Sequence, residues 1–248
     1  MNLAPWFRRI SVFMALGAIV LAGCSDDSTG PDGDENPTLV IPKAGSTFTS
    51  TQQNQDDERA AQGAPFTRTD SLVATNLTIG GKTDVFAFSD GDNNTWYYRY
   101  EVNGDVSVNV RTNYFKLAGD EWYNFTFTNE WFTVPFGSKT SRNDTLAKVQ
   151  NYGTGPVKVP MSVNAVSDHM GTESVTIGGQ TFTAQKAETT INVTIGSLLN
   201  RVRIQWSFVP QIGYFSKHDF IIVPDSFIGT SDIHAGGSVS TLTSYSLK

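Results

Sequence analysis

His169, His218 and His234 are the side chains of this sequence best suited to chemistry, and each has an aspartate within two positions. An imidazole beside a carboxylate can bind a metal or act as a general base. The spacing supports neither: the contexts "SDHMG", "SKHDF" and "SDIHAG" read as separate loops, and no H-x-x-x-H or H-E-x-x-H pair brings two ligands together. No G-x-S-x-G exists for a serine nucleophile, and Gly80-Gly81 and Gly178-Gly179 lack the helix that a phosphate loop must precede. Carboxylate pairs such as Asp56-Asp57 sit in polar runs, where nothing raises a pKa toward catalytic use. Asp90-Gly91-Asp92-Asn93-Asn94 offers oxygen ligands, so calcium at Asp90 and Asp92 is the one cofactor the sequence suggests. It lacks the full D-x-D-x-D-G ladder and the distal Glu. The inventory points away from an enzyme and away from any cofactor.

The only cysteine, Cys24, closes an N-terminal leader. Arg8 and Arg9 form a basic flank, and Ile10 to Ala22 is a 13-residue apolar stretch. A membrane-spanning helix needs about 20 residues, so this is a secretory signal in outline. Leu21-Ala22-Gly23-Cys24 resembles the lipobox of bacterial lipoproteins. That resemblance implies a signal peptide over 1–23, a diacylglyceryl thioether at Cys24, and cleavage that leaves Cys24 first. Stable anchoring takes two or more acyl chains, each contributing about 0.8 kcal/mol per buried methylene, and a processed lipoprotein carries such a set, palmitate among the expected chains. The membrane is therefore the first expected partner. With no second thiol, the mature chain must hold its fold by core burial alone.

Removal of the leader leaves 16 basic against 24 acidic residues, a net charge of −8. That balance excludes nucleic acid as the main partner. Residues 24–37 follow as a linker: Ser25 to Pro37 holds five acids and no apolar side chain, so it reads as a flexible tether. Its opening, Ser25-Asp26-Asp27, resembles the short acidic signal that exports some lipoproteins to the cell surface. The outer membrane is the expected location, with its periplasmic and outer faces both open.

From Thr38 to Lys248 the pattern is period 2. Trp96, Tyr98 and Tyr100 alternate with polar residues, Asn103-Gly104-Asp105 turns, and Val106, Val108 and Val110 alternate with Ser107, Asn109 and Arg111. This predicts a hairpin with one apolar and one polar face. Ile191, Val193 and Ile195 form one strand, and Val202, Ile204, Trp206 and Phe208 another, which Pro210 ends. "TIGGKT" at Thr78–Thr83 and "TIGGQT" at Thr176–Thr181 predict two tight hairpins. Only Asp56 to Gln62 could form a helical turn. The fold class is all-β: a single antiparallel domain over 38–248, either a curled half-barrel or a β-sandwich.

Gly171 to Thr190, "GTESVTIGGQTFTAQKAETT", and Trp206 to Phe215 resemble segments of a broad group of uncharacterised bacterial envelope lipoproteins. Pro42 to Thr49 and the Tyr98–Val106 hairpin are similar to their first half. The resemblance implies kinship with the LolA/LolB/RseB half-barrel, a sheet curled around an apolar concavity. The helices that plug that concavity in lipoprotein carriers have no counterpart in this sequence. The expected function is binding, of a hydrophobic ligand or an envelope protein, with Trp96, Tyr98, Trp206 and Phe208 as the candidate ligand-binding residues. The alternatives are a surface-exposed glycan-binding or adhesive module, with Trp96, Trp122 or Trp131 as a stacking platform, and a structural subunit of an outer-membrane assembly. Aromatics on an exposed flat face would favour glycans; aromatics aimed into a concavity would favour the hydrophobic ligand.

Overall fold

The computed structural model describes residues 38–56, 59–92, 94–110, 127–152, 159–196, 198–224 and 236–248. The leader, the tether with Cys24, Ser25, Asp26 and Asp27, and also Trp122 and His234, lie outside the described residues. The strands are β1 (Thr47–Gln55), β2 (Ala61–Ile79), β3 (Lys82–Ser89), β4 (Thr95–Tyr100), β5 (Val106–Asn109), β6 (Trp131–Val134), β7 (Arg142–Tyr152), β8 (Val159–Ile177), β9 (Gln180–Ile195), β10 (Leu198–Val209), β11 (Tyr214–Pro224) and β12 (Gly236–Ser246). They form one antiparallel sheet in the order β6-β5-β4-β3-β2-β1-β12-β11-β10-β9-β8-β7. It is a meander whose first and last strands pair in the middle, Thr47 opposite Ser246.

The two edges, β6 and β7, are consecutive in the chain, and the sheet curls until they meet. The seam is bonded by the Thr133 N–H, which donates to Asp144 Oδ2 at 2.8 Å, and by the N–H groups of Thr128 and Asn129, which donate to the Leu146 carbonyl at 2.9 and 3.1 Å. Of the two expected forms the structure takes the curled one, and carries the curl almost to a closed barrel. Near-closure covers edges that would otherwise offer unpaired backbone groups to another chain. Twelve strands also enclose a wider lumen than the eight that side chains just fill. Large aromatics take up most of the difference: Phe48, Phe88, Phe132, Phe136, Trp206 and Phe208 are all at most 1% exposed.

The alternation read from sequence sets the inward face. Val202, Ile204, Trp206 and Phe208 are all buried, and Val202 lies opposite Ile191 in the β9–β10 ladder. Tyr98 pairs with Val108 and Tyr100 with Val106 in the expected hairpin. Both Gly-Gly turns close hairpins, β2–β3 and β8–β9, with φ of 53° and 79° at Gly80 and Gly81 and 57° and 82° at Gly178 and Gly179. Two successive left-handed residues are what a turn matching the strand twist requires.

Two expectations need correction. Ser107 and Asn109, on the polar face of the expected hairpin, are both fully buried. The Lys82 ammonium folds over this outer face, donating to Ser107 Oγ at 2.8 Å and to Glu101 Oε1 at 2.9 Å. Ser207 is likewise buried, its hydroxyl donating to the Glu173 carboxylate. Asp56 to Gln62 forms no helical turn among the described residues. The Arg59 N–H donates to the Asp56 carbonyl at 3.1 Å, but Arg59 takes φ of 68° and the chain re-enters a strand at Ala61.

At one end of the barrel the segment before β1 straps across the β10–β11 turn. The Val40 N–H donates to the Pro210 carbonyl at 2.8 Å. Gly213, at φ of 64°, lets the strap lie this close, because a Cβ there would sit 2.1 Å from the Val40 carbonyl oxygen. Asp105 braces the same end. Its buried carboxylate accepts the N–H groups of Gly137 and Ser138 at 3.0 and 2.8 Å and the Arg142 guanidinium at 3.1 Å.

Candidate functional site

Two cavities stand out among the described residues of the barrel. The upper one, of about 200 Å³, is built by strands whose inward positions are polar. β1 contributes Ser50 and Gln52, β2 Arg68 and Asp70, β11 His218 and β12 Ser238 and Ser240. The facing wall is aromatic: Trp96, Tyr98, Trp206, Tyr214, Phe215 and Phe220. Ladder pairing explains the grouping, since Ser50 lies opposite Arg68, and Ser240 opposite both Gln52 and His218.

An ion pair anchors this cavity. Arg68 Nη2 and Nε lie 2.8 and 2.9 Å from Asp70 Oδ1, and the guanidinium covers the Trp96 ring at 3.8 Å. The Tyr214 hydroxyl donates to the other Asp70 oxygen at 2.7 Å. Burial, reinforced by that carboxylate, pushes the Tyr214 phenol well above its ordinary range. Asp90 stands 3.9 Å from Arg68, so the guanidinium is flanked by two carboxylates. His218 packs on Trp206, the ring centroids 4.6 Å apart and the planes tilted by 32°. Burial, with the Arg68 charge adding and Asp219 opposing, pushes its pKa down to about 4, and the imidazole is neutral near pH 7.

The lower cavity, of about 350 Å³, lies at the strapped end. Leu39, Val102, Phe136, Phe208 and Pro210 give it apolar walls, completed by Thr38, the Asn103-Gly104 turn and Gln185. The Gln185 side chain is buried, and its amide oxygen has no hydrogen-bond donor. The Phe215 ring divides the two cavities. It touches Tyr98 and Trp206 of the upper at 5.2 Å each, and Phe208 and Phe136 of the lower at 5.5 and 6.1 Å.

Of the four candidate ligand-binding residues, Trp96, Tyr98 and Trp206 thus converge on the upper cavity and Phe208 lines the lower. Trp131 is buried and donates its indole N–H to the Ile79 carbonyl at 3.2 Å, while Trp96 faces inward beneath Arg68. No flat exposed tryptophan platform exists among the described residues. His169 and His218 stand on β8 and β11, not in loops, because the strands run on through the polar stretches around them. No group of three or more metal-ligating side chains occurs among the described residues. Asp90 is already engaged: it accepts the Asp92 N–H and the Asn94 amide at 2.9 Å each. Burial alone would raise its carboxyl, but those bonds and the Arg68 charge hold it below the usual range.

Sequence reading missed Arg68, Asp70, Tyr214 and Gln185. The signal for the first two was present, since Arg68, Asp70 and Leu72 share one face at period 2. Charged residues at alternate positions ordinarily mark the solvent side, which hid it.

No protein-family model matches the chain, and no curated protein matches it. Among solved structures it is similar to the hypothetical lipoprotein YmcC from Escherichia coli, at 8% identity and a TM-score of 0.38, over 85% of this chain and 92% of that one. It is also similar to an exported protein with a YmcC-like fold from Bacteroides fragilis, at 10% identity and a TM-score of 0.36, over 84% of this chain and 99% of that one. Neither is described as a LolA, LolB or RseB relative.

Proposed function

We propose that this chain is a non-enzymatic lipoprotein of the bacterial outer membrane that holds a small hydrophobic ligand in the lower cavity. The observation carrying this reading is the apolar lining of Leu39, Val102, Phe136, Phe208 and Pro210 at an open barrel end. Val102 is fully exposed at the mouth, where it carries the apolar lining out to solvent. One buried polar atom, Gln185 Oε1, stands in the wall without a donor. Buried acceptors are almost always bonded, so the fitting ligand is apolar with a single hydrogen-bond donor.

The anchor supports the same end. Lipid attachment is assigned to Cys24 from the lipobox-like Leu21-Ala22-Gly23-Cys24. Thr38, which lines the mouth, is 14 residues further on, a reach of at most about 50 Å. A tether of that length keeps the mouth within range of the bilayer that would supply an apolar ligand. Phe136 and Phe208 aim into this cavity, which favours the hydrophobic-ligand reading of it over an exposed glycan platform.

The test is equilibrium titration of the full chain with a lipophilic naphthylamine dye. Saturable binding is expected, and Val102→Asp, which sets a charge at the mouth without touching the core, should weaken it by about tenfold, or ~1.4 kcal/mol. Absence of saturation, or equal affinity in the variant, would remove the lower cavity as the site.

A further inference from the structure

We propose that the upper cavity is a second, separate binding site, and that it takes one neutral sugar ring. A barrel interior is ordinarily filled with apolar side chains, each burial contributing about 25 cal/mol per Å². Here seven inward positions are polar instead, drawn from the adjoining strands β2, β1, β12 and β11. Nothing in the stability of the fold calls for them, because Leu or Val at Ser50, Ser238 or Ser240 would bury more apolar surface.

The chemistry of the lining selects the ligand. Hydroxyls of Ser50, Ser238 and Ser240 both donate and accept, and the Gln52 amide does the same. A matching ligand must also both donate and accept at several points, as a polyhydroxylated ring does. The opposite wall is aromatic, with Trp96 and Phe220 only partly buried, and gives apolar surface against which the C–H face of such a ring can lie. Charge excludes the ionic alternatives. Arg68 is held by Asp70 at 2.8 Å and flanked by Asp90 at 3.9 Å, so no uncompensated cation remains to bind an anion. A cationic ligand would meet the guanidinium already seated over Trp96. A space of about 200 Å³ is on the scale of one pyranose and too small for an acyl chain or an oligosaccharide. Arg68, whose side chain is 24% exposed, forms part of the rim.

Calorimetric titration of the full chain in mild detergent tests this, with glucose, galactose and mannose as neutral probes and glucuronate, glucosamine and benzyl alcohol as controls. At least one neutral hexose should saturate with a Kd on the order of 1 mM, and the charged sugars and benzyl alcohol should not. Ser240→Leu, which fills the cavity from β12, should weaken that hexose at least tenfold. Gln52→Leu, filling it from β1, should do the same and decides the matter if Ser240→Leu does not fold. Val102→Asp at the other end should leave hexose affinity unchanged, so failure of this site and failure of the lower one are told apart. Three results would overturn the proposal: no heat from any neutral hexose, equal affinity in a folded cavity-filling variant, or binding confined to a charged sugar or benzyl alcohol.

Discussion

His218 shows how far the barrel interior changes a single side chain. In water its imidazole would ionise near pH 6.5, but packed on Trp206 it does so at about 4. Between those values the unfolded chain takes up the proton and the native chain does not. Stability that is intact above about pH 6.5 therefore falls as the pH drops to about 4, by roughly 2–3 kcal/mol from this one group. Replacing the imidazole by an aromatic that cannot ionise removes that component. His218→Phe should lose less stability than the parent between pH 7 and pH 4.5, measured as denaturant midpoints. Parallel declines in the two proteins would show that His218 does not titrate in this window. The Trp206 it packs on is itself held by buried polar groups: the indole N–H bonds Thr189 Oγ1 at 3.0 Å, which lies 2.9 Å from Ser167 Oγ.

At the scale of the element, β10 is the strand on which sequence and structure agree most closely. Val202, Ile204, Trp206 and Phe208 are buried, and Gln205, on the other face, is exposed and bonds Glu188 at 3.0 Å. Trp206→Ala should cost about 3–5 kcal/mol and Gln205→Ala under about 1 kcal/mol, a contrast that two urea melts can resolve. Near-equal costs would mean the strand's register is shifted by one residue. Strands like β10 and β9 were legible because large apolar and polar residues alternate cleanly. β1 ("TFTSTQQNQ") carries one large apolar residue, and β12 ("GGSVSTLTSYS") carries three that do not alternate, so their inward faces cannot be told from the pattern. Both strands contribute to the polar lining of the upper cavity. Ser107 and Ser207 misled for the related reason that a small hydroxyl reads as solvent-facing, whereas Lys82 and Glu173 each reach across to bury one. The Gly-Gly turns were legible because their conformation depends on two adjacent residues alone.

At the scale of the whole molecule, a 12-stranded sheet that curls to meet itself leaves more lumen than its aromatics fill. Phe215 divides the remainder into a polar upper and an apolar lower chamber. The curl was expected from the family resemblance, but the near-closure was not, because it follows from β6 and β7 being sequence neighbours at opposite edges of the sheet. The lower chamber was legible only through Phe208, since its other walls come from a strap and two turns. The central claim is that this chamber holds an apolar ligand, and mass spectrometry of the full chain extracted from envelope membranes tests it directly. Comparing native with denaturing spectra separates a bound ligand from acyl groups attached covalently, which survive unfolding. The account predicts an added mass in the native spectrum that is lost on denaturation and depleted in Val102→Asp. Identical native and denatured masses, or an adduct that Val102→Asp retains in full, would contradict it.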